Sequence, residues 1–201
     1  MAMMVLDSYV EERLRAERQA SGADRFDEVW EGVYMMAPLA DNEHQDLQGS
    51  LAAALKHALG WSSGARVQAG ANVSDRDDDW TNNYRCPDVV VVLPGGVARD
   101  RGTHWQGGPD FCVEILSRGD RSRDKFEFYA AAGVCELLLV DRGPWTLELY
   151  RLASGQLKPV KKTANDGFVS KVVPVSFRMI SGTSRPQIEV MHRDGVQRWL
   201  V

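Results

Sequence analysis

The chain has only three cysteines among its 201 residues, and Cys86, Cys112 and Cys135 are far apart in the sequence. An odd number of cysteines without a CxxC pair argues against a disulfide framework or a dithiol redox motif. Free thiols in a reducing compartment are the simpler interpretation, so we expect a cytoplasmic protein. No apolar run approaches the roughly 18 residues that a membrane-spanning helix needs. Residues 1–6 are apolar but lack the basic start and cleavage site of a signal peptide, and we expect no membrane association.

Several sequence motifs of common enzyme classes are also missing. The four histidines and three cysteines show no zinc-ligand spacing. The chain has no GxxxxGK[ST] phosphate loop, no GxGxxG dinucleotide fingerprint and no GxSxG nucleophile elbow. These absences leave zinc, nucleotide-binding and serine-hydrolase chemistry without a motif.

The charge distribution is uneven. The net charge of −4 argues against a protein that coats nucleic acid non-specifically. Residues 151–201 carry nine Lys and Arg against three Asp and Glu, whereas residues 1–60 carry five against eleven. The basic carboxy-terminal third could face phosphates, and a solvated strand face explains it equally well. The length and the 44% hydrophobic share suit a single domain over residues 1–201.

Hydrophobic periodicity predicts an α/β fold. Apolar residues recur at three- and four-residue spacing in 42–59, which predicts a helix. Strands are expected over 65–73, from Asp88 and from Asp110, and then a helix that Asp120 or Ser122 caps, followed by an apolar strand over 134–140. The order is αβββαβ, with further antiparallel strands feeding a mixed sheet.

Two acidic residues stand inside the apolar strands. Asp88 opens the run Asp88-Val89-Val90-Val91-Val92, and Glu114 lies within 111–117. A carboxylate in a buried strand is costly to desolvate unless it is paired or bound to a cation. Asp88, Glu114 and the carbonyl of Ile115 could together hold Mg²⁺. The alternative is that Asp88 caps a turn after Pro87 and that Glu114 is paired with an arginine.

The order of these motifs resembles a known nuclease fold. The chain resembles the Uma-two family of restriction-endonuclease-like proteins, which have the PD-(D/E)XK fold. The motifs that carry the resemblance are, in order, Pro87-Asp88, Glu114 in 113–117, Lys125 with 128–134, and 139–141. The resemblance implies an endonuclease that hydrolyses DNA and depends on Mg²⁺ or Mn²⁺. It also implies a homodimer as the candidate assembly for cutting both strands.

Two further site residues are candidates. The general PD-(D/E)XK pattern places a lysine two residues after the acidic residue of the strand, here Glu114, and this chain has Leu116 at that position. The resemblance implies that Lys125, on the following helix, takes that role, although it could instead be a surface lysine. His44 lies on the inward face of its helix, and similar nucleases often place a polar residue there near the metal. Glu43 could fill that position too, and His44 could equally be a core histidine bonded within the fold.

Two functions remain open on these grounds. The first is a metal-dependent endonuclease in which Asp88, Glu114, Lys125 and His44 form the catalytic site. The second is a catalytically silent protein of the same fold that acts as a nucleic-acid-binding or assembly module. The leucine at position 116 and the acidic net charge favour the second, and the presence of both carboxylates favours the first.

Overall fold

The computed structural model describes residues 3–117, 119 and 121–201. The helices of these residues are α1 (Ser8–Ser21), α2 (Asn42–Leu59) and α3 (Phe126–Ala132), with 3-10 turns at Trp80–Asn82 and Ser122–Lys125. The strands are β1 (Met3–Val5), β2 (Glu28–Trp30), β3 (Val33–Met36), β4 (Arg66–Ala69), β5 (Val73–Ser74), β6 (Tyr84–Arg85), β7 (Val89–Val92), β8 (Arg99–Asp100), β9 (Trp105–Gln106), β10 (Phe111–Leu116), β11 (Glu136–Arg142), β12 (Trp145–Ala153), β13 (Gln156–Pro159), β14 (Gly167–Val169), β15 (Val175–Ile180), β16 (Gln187–His192) and β17 (Arg198–Leu200).

The central sheet has the order β13-β12-β11-β10-β7-β4. Strands β10 and β11 are parallel, and the other neighbours in this sheet are antiparallel. A parallel pair needs a crossover connection, and α3 lies on the segment that supplies it. Along the chain the core elements are α2, β4, β7, β10, α3 and β11, which confirms the αβββαβ order and the mixed sheet.

Strand β10 is buried on both faces because each face has its own apolar cluster. Val113 and Ile115 pack on the side of α2, together with Leu51 and other buried residues. Cys112 and Leu116 pack on the side of α3. Glu114 shares this second face, as the two-residue period of a strand dictates.

Two outer sheets extend this core. One has the order β14-β15-β16-β17 and packs over the α2 side, where Phe177 stacks on Phe111 with ring centroids 5.7 Å apart. The other has the order β1-β3-β2-β6-β5-β9-β8 and includes β2. None of the helices in the described part of the chain has the length and apolar character that crossing a bilayer requires.

Ion pairs account for part of the basic excess of the carboxy-terminal third. Arg151 binds the buried Glu136, and Arg178 and Arg198 both bind Glu189. These arginines neutralise carboxylates that the fold buries, so their charges serve the structure.

The predicted strand over 65–73 is wrong in its extent. Strand β4 ends at Ala69, and the chain then crosses to β5 in another sheet. Gly70 makes this turn with φ +62°, and a Cβ there would lie 2.3 Å from the Phe26 ring. Only glycine accepts both the left-handed backbone and the close ring. The predicted polar loop that follows contains the 3-10 turn Trp80–Asn82 and strand β6.

The predicted cap of the third helix also differs. Asp120 lies outside the described residues. Ser122 begins the 3-10 turn that precedes α3, and its hydroxyl donates to Glu114 at 3.1 Å.

The packing of α2 against the sheet leads to a stability prediction. Leu51 is fully buried in the α2-side cluster, so Leu51→Ala removes apolar contacts and leaves a cavity. We expect the free energy of unfolding to fall by about 2–5 kcal/mol, measured by urea denaturation. The matched control is Leu39→Ala, since Leu39 is 83% exposed and its loss should change stability by no more than about 0.5 kcal/mol. Equal effects of the two changes would contradict the assigned core.

Candidate active site

Asp88 lies directly before β7, and its hydrogen bonds connect helix α2 to strand β10. Its Oδ2 accepts a hydrogen bond from the backbone N–H of Ile115 at 2.6 Å, and its Oδ1 lies 2.7 Å from Nε2 of His44. Its backbone carbonyl accepts from the side-chain amide of Gln48 at 2.8 Å. Helix α2 and strand β10 therefore fix the orientation of this carboxylate, which does not act as a simple turn cap.

Glu114 is a buried residue of strand β10. Its Oε1 and Oε2 accept from the Lys125 ammonium at 3.0 and 3.2 Å. The hydroxyls of Ser122 and Tyr129 donate to the same carboxylate. The cationic partner of Glu114 is thus a lysine and not an arginine.

Burial dominates the electrostatics of Glu114. Burial raises the pKa of this carboxyl, Lys125 opposes the rise, and the neighbouring charges of Asp88 and Glu28 add to it, giving a pKa of about 7. Lys125 therefore offsets only part of the effect of burial and of the neighbouring carboxylates.

Lys125 is a buried residue of the site and not a surface lysine. It ends the 3-10 turn Ser122–Lys125, and its ammonium donates to Glu28 Oε1 at 2.8 Å as well as to Glu114. Leu116, at the position of the lysine in the general pattern, packs in the α3-side apolar cluster. The cation thus reaches Glu114 from the turn before α3 and not from the strand.

His44 lies in the first turn of α2 with its ring on Asp88. Burial lowers the pKa of this imidazole, but the hydrogen bond and the charge of Asp88 together outweigh burial, and the pKa is raised. Glu43, the other candidate, turns away and binds Arg142 at 3.2 Å. Of the two residues, His44 is the one in the site.

Glu28 is the site residue that the sequence analysis missed. It opens β2 and is buried, with its Oε1 accepting from Lys125 and from the Cys86 N–H, each at 2.8 Å. Its Oε2 accepts from the Trp30 indole N–H at 2.6 Å. The signal was a carboxylate in an apolar hairpin strand, the same signal that identified Glu114.

One cleft of about 100 Å³ brings these groups together. Its lining includes all of the residues predicted for the site together with Glu28: His44, Asp88, Glu114, Ile115 and Lys125. Arg121 also lines the cleft, and its guanidinium lies over the Trp30 ring at 5.3 Å.

The donor set fits a hard divalent cation. Among the described residues, no group of three or more His, Cys, Asp or Glu side chains is arranged to hold a metal ion. Mg²⁺ does not need such a cage, because it is usually bound by one or two carboxylates and keeps several waters. Asp88 and Glu114 supply two carboxylates, and a cation beside Glu114 would favour its charged form against the effect of burial.

The raised pKa of Glu114 predicts a pH dependence of stability. Between about pH 4.5 and about pH 7, the Glu114 carboxyl binds its proton more fully in the folded chain than in the unfolded chain, so its contribution to the free energy of unfolding falls as pH rises. We expect Glu114→Gln to reduce this fall, as measured by denaturant unfolding of the metal-free protein across that range. Glu17→Gln is the matched control, since Glu17 is an exposed helix residue. Equal pH slopes for wild type and Glu114→Gln would show that Glu114 does not titrate in this way.

Comparison with solved structures supports the fold. The crystal structure of a "putative nuclease belonging to DUF820" from Anabaena variabilis ATCC 29413 is similar, with a TM-score of 0.56. The two chains are 17% identical, and the match covers 72% of this chain and 80% of that one. At this identity the likeness shows the restriction-endonuclease-like fold alone. No curated protein matches the chain.

Comparison with family models is more specific. The model of the Uma2 (Uma-two) family, described as "Putative restriction endonuclease", matches residues 10–179. This range includes Glu28, His44, Asp88, Glu114 and Lys125, and it supports a nuclease function in general. Since the match covers most of the chain, the protein belongs to the Uma2 family.

Proposed function

We propose that the protein is an endonuclease that hydrolyses phosphodiester bonds of DNA with Mg²⁺ or Mn²⁺ as cofactor. The observation that carries this proposal is the cleft in which Asp88 and Glu114 face a buried lysine. Buried acidic groups with a perturbed pKa in a cleft are typical of catalytic sites. The Uma2 family supports the nuclease reaction, and the choice of DNA and of the metal is part of the proposal.

Asp88, Glu114 and the carbonyl of Ile115 are the oxygen donors that would hold the metal. The N–H of Ile115 points to Asp88, and in an antiparallel ladder the N–H and C=O of one residue face the same neighbouring strand. The carbonyl therefore belongs to the same edge as Asp88. A divalent ion there would supply Lewis-acid stabilisation of the phosphate and a more acidic water.

The other residues of the cleft position and stabilise. His44 holds one oxygen of Asp88, so the carboxylate keeps a single orientation. Tyr129 and Ser122 do the same for Glu114. Lys125 offers an ammonium to the phosphate, where it stabilises charge that develops in the transition state. Its burial makes that contribution larger than it would be in water.

One observation favours the silent nucleic-acid-binding or assembly module as the second candidate. Lys125 already neutralises part of Glu114, so an internal cation stabilises this part of the cleft. In the silent protein this pair would be purely structural. Calorimetric titration with Mn²⁺ separates the two, because only the enzyme requires a metal site that depends on Asp88.

The decisive experiment is a cleavage assay. The purified protein is incubated with supercoiled plasmid, single-stranded DNA and RNA, in the presence of Mg²⁺, Mn²⁺ or EDTA. We expect nicking or linearisation of the plasmid with either metal and none with EDTA. Sedimentation of the protein with a DNA duplex measures whether a homodimer forms for cutting both strands. No cleavage of any substrate, together with no heat on Mn²⁺ titration, would favour the silent module.

Asp88→Asn tests the metal ligand. The swap is nearly isosteric, so the fold should survive while one anionic donor is lost. Since a metal contributes several kcal/mol, we expect cleavage to fall by roughly a thousandfold, with weaker Mn²⁺ binding by calorimetry. The control is Asp166→Asn, because Asp166 is exposed and has a positive φ of 58° that asparagine tolerates. Wild-type cleavage by Asp88→Asn would remove Asp88 from the metal site.

Lys125→Ala tests the cation. We expect cleavage to fall by about 10²–10³-fold, far more than Mn²⁺ affinity falls, because the lysine acts on the phosphate and not on the ion. Lys158→Ala is the control at an exposed lysine. Circular dichroism checks the fold, since the change leaves two buried carboxylates without their ion pair. A folded Lys125→Ala protein with wild-type cleavage would make the lysine structural only.

A further inference from the structure

The backbone position of Lys125 restrains its ammonium less than a position on the strand of Glu114 would. In the general pattern the lysine stands on the same strand as the acidic residue, so the strand fixes its backbone beside the metal edge. Here the corresponding residue, Leu116, is packed in the α3-side cluster, and the lysine comes from the short 3-10 turn before α3. A lysine side chain has about 2 kcal/mol of rotamer entropy, so a remote lysine needs a second contact to hold its ammonium in place.

Glu28 provides a rigid contact of this kind. Its Oε1 lies 2.8 Å from the Lys125 ammonium, closer than either oxygen of Glu114. The Cys86 N–H and the Trp30 indole fix the Glu28 carboxylate from two directions. Trp30 is itself packed under the Arg85 guanidinium at 4.7 Å. The acceptor is therefore held in place independently of Glu114.

We propose that Glu28 is a positioning residue that holds Lys125 in the catalytic cleft. The inference rests on the proposed nuclease function and concerns the state in which Glu114 binds a metal. Glu114 then has less capacity to accept from Lys125, and the contact with Glu28 still holds the ammonium in the site. An ammonium has three N–H donors, so one can stay on Glu28 while others turn to a phosphate oxygen.

The position of Glu28 argues against a role as a metal ligand. Glu28 lies on β2, in a different sheet from β10, which carries Glu114, and from β7, which Asp88 directly precedes. A role as metal ligand nevertheless predicts a loss of Mn²⁺ affinity in Glu28→Gln, and the experiment measures this affinity.

The experiment is a double-mutant cycle in the full-length protein with Glu28→Gln, Lys125→Met and the double variant. We expect Glu28→Gln to lower kcat by about 10–100-fold with little change in KM, as for other residues that orient a catalytic group. In the Lys125→Met background the same change should have no further effect on kcat. Glu28→Asp retains the charge on a shorter side chain and should keep part of the activity that Glu28→Gln loses. Glu17→Gln, at an exposed glutamate, should match wild type.

Two measurements do not depend on turnover. Mn²⁺ affinity, from calorimetry, should change less than twofold in Glu28→Gln. The rate at which an amine-specific acylating reagent modifies Lys125, followed by mass spectrometry, should rise at least severalfold in Glu28→Gln, because the ammonium is no longer held. Glu28→Asp should show a smaller rise, and this second variant decides the question if Glu28→Gln does not fold.

The outcomes distinguish the two proposals. Loss of Mn²⁺ affinity in Glu28→Gln would make Glu28 a ligand, and additive losses in the double variant would show that it acts independently of Lys125. Either result overturns the positioning role. If the wild-type protein does not cleave, the proposed function fails, and the acylation rate of Lys125 still tests the restraint: an unchanged rate refutes it.

Discussion

The ion pair between Lys125 and the buried carboxylates is the interaction on which the cleft depends. Burying a carboxylate without a partner is strongly unfavourable, and the chain buries Glu28 and Glu114 on either side of one ammonium. The lysine opposes the effect of burial on Glu114, although the pKa of this carboxyl remains raised.

The second constraint is the way α2 meets the ends of β7 and β10. Asp88 receives His44 from the helix and the Ile115 N–H from the strand, so the carboxylate cannot rotate freely. Arg142 reinforces this junction, because it binds both the Asp41 cap of α2 and the carbonyl of Leu116 at the end of β10. The carboxylates that we propose as ligands thus belong to rigid elements, which is what a preorganised site requires.

The predictability of the site from the sequence follows from its chemistry. Asp88 and Glu114 were visible because a charge in an apolar strand has few structural reasons to be there. Glu28 carries the same signal more weakly, because its strand has three residues and lies in a hairpin that could have been exposed on one face. Lys125 was accessible only through the family resemblance, since nothing local distinguishes a buried lysine from its solvated neighbours.

The fold was predictable where a regular pattern of apolar residues extended through a whole element, as in α2 and the core strands. It was not predictable where a single tertiary contact decided the path. The chain leaves the central sheet at Gly70 because the Phe26 ring occupies the space of a side chain, and Phe26 is far away in the sequence. Ser122 likewise satisfies a buried carboxylate and does not cap the helix, which local capping preferences cannot reveal.

The contact between Glu28 and Lys125 spans 97 positions of the chain. During synthesis from the amino terminus, the glutamate leaves the ribosome long before the lysine that neutralises it. Until then the hairpin β2–β3 can form, but the pocket around its carboxylate cannot close without burying an unpaired charge. Contacts of such high sequence separation form slowly, since loop closure must precede them. The cleft around Glu28 and Glu114 therefore cannot be complete until the turn before α3 has emerged.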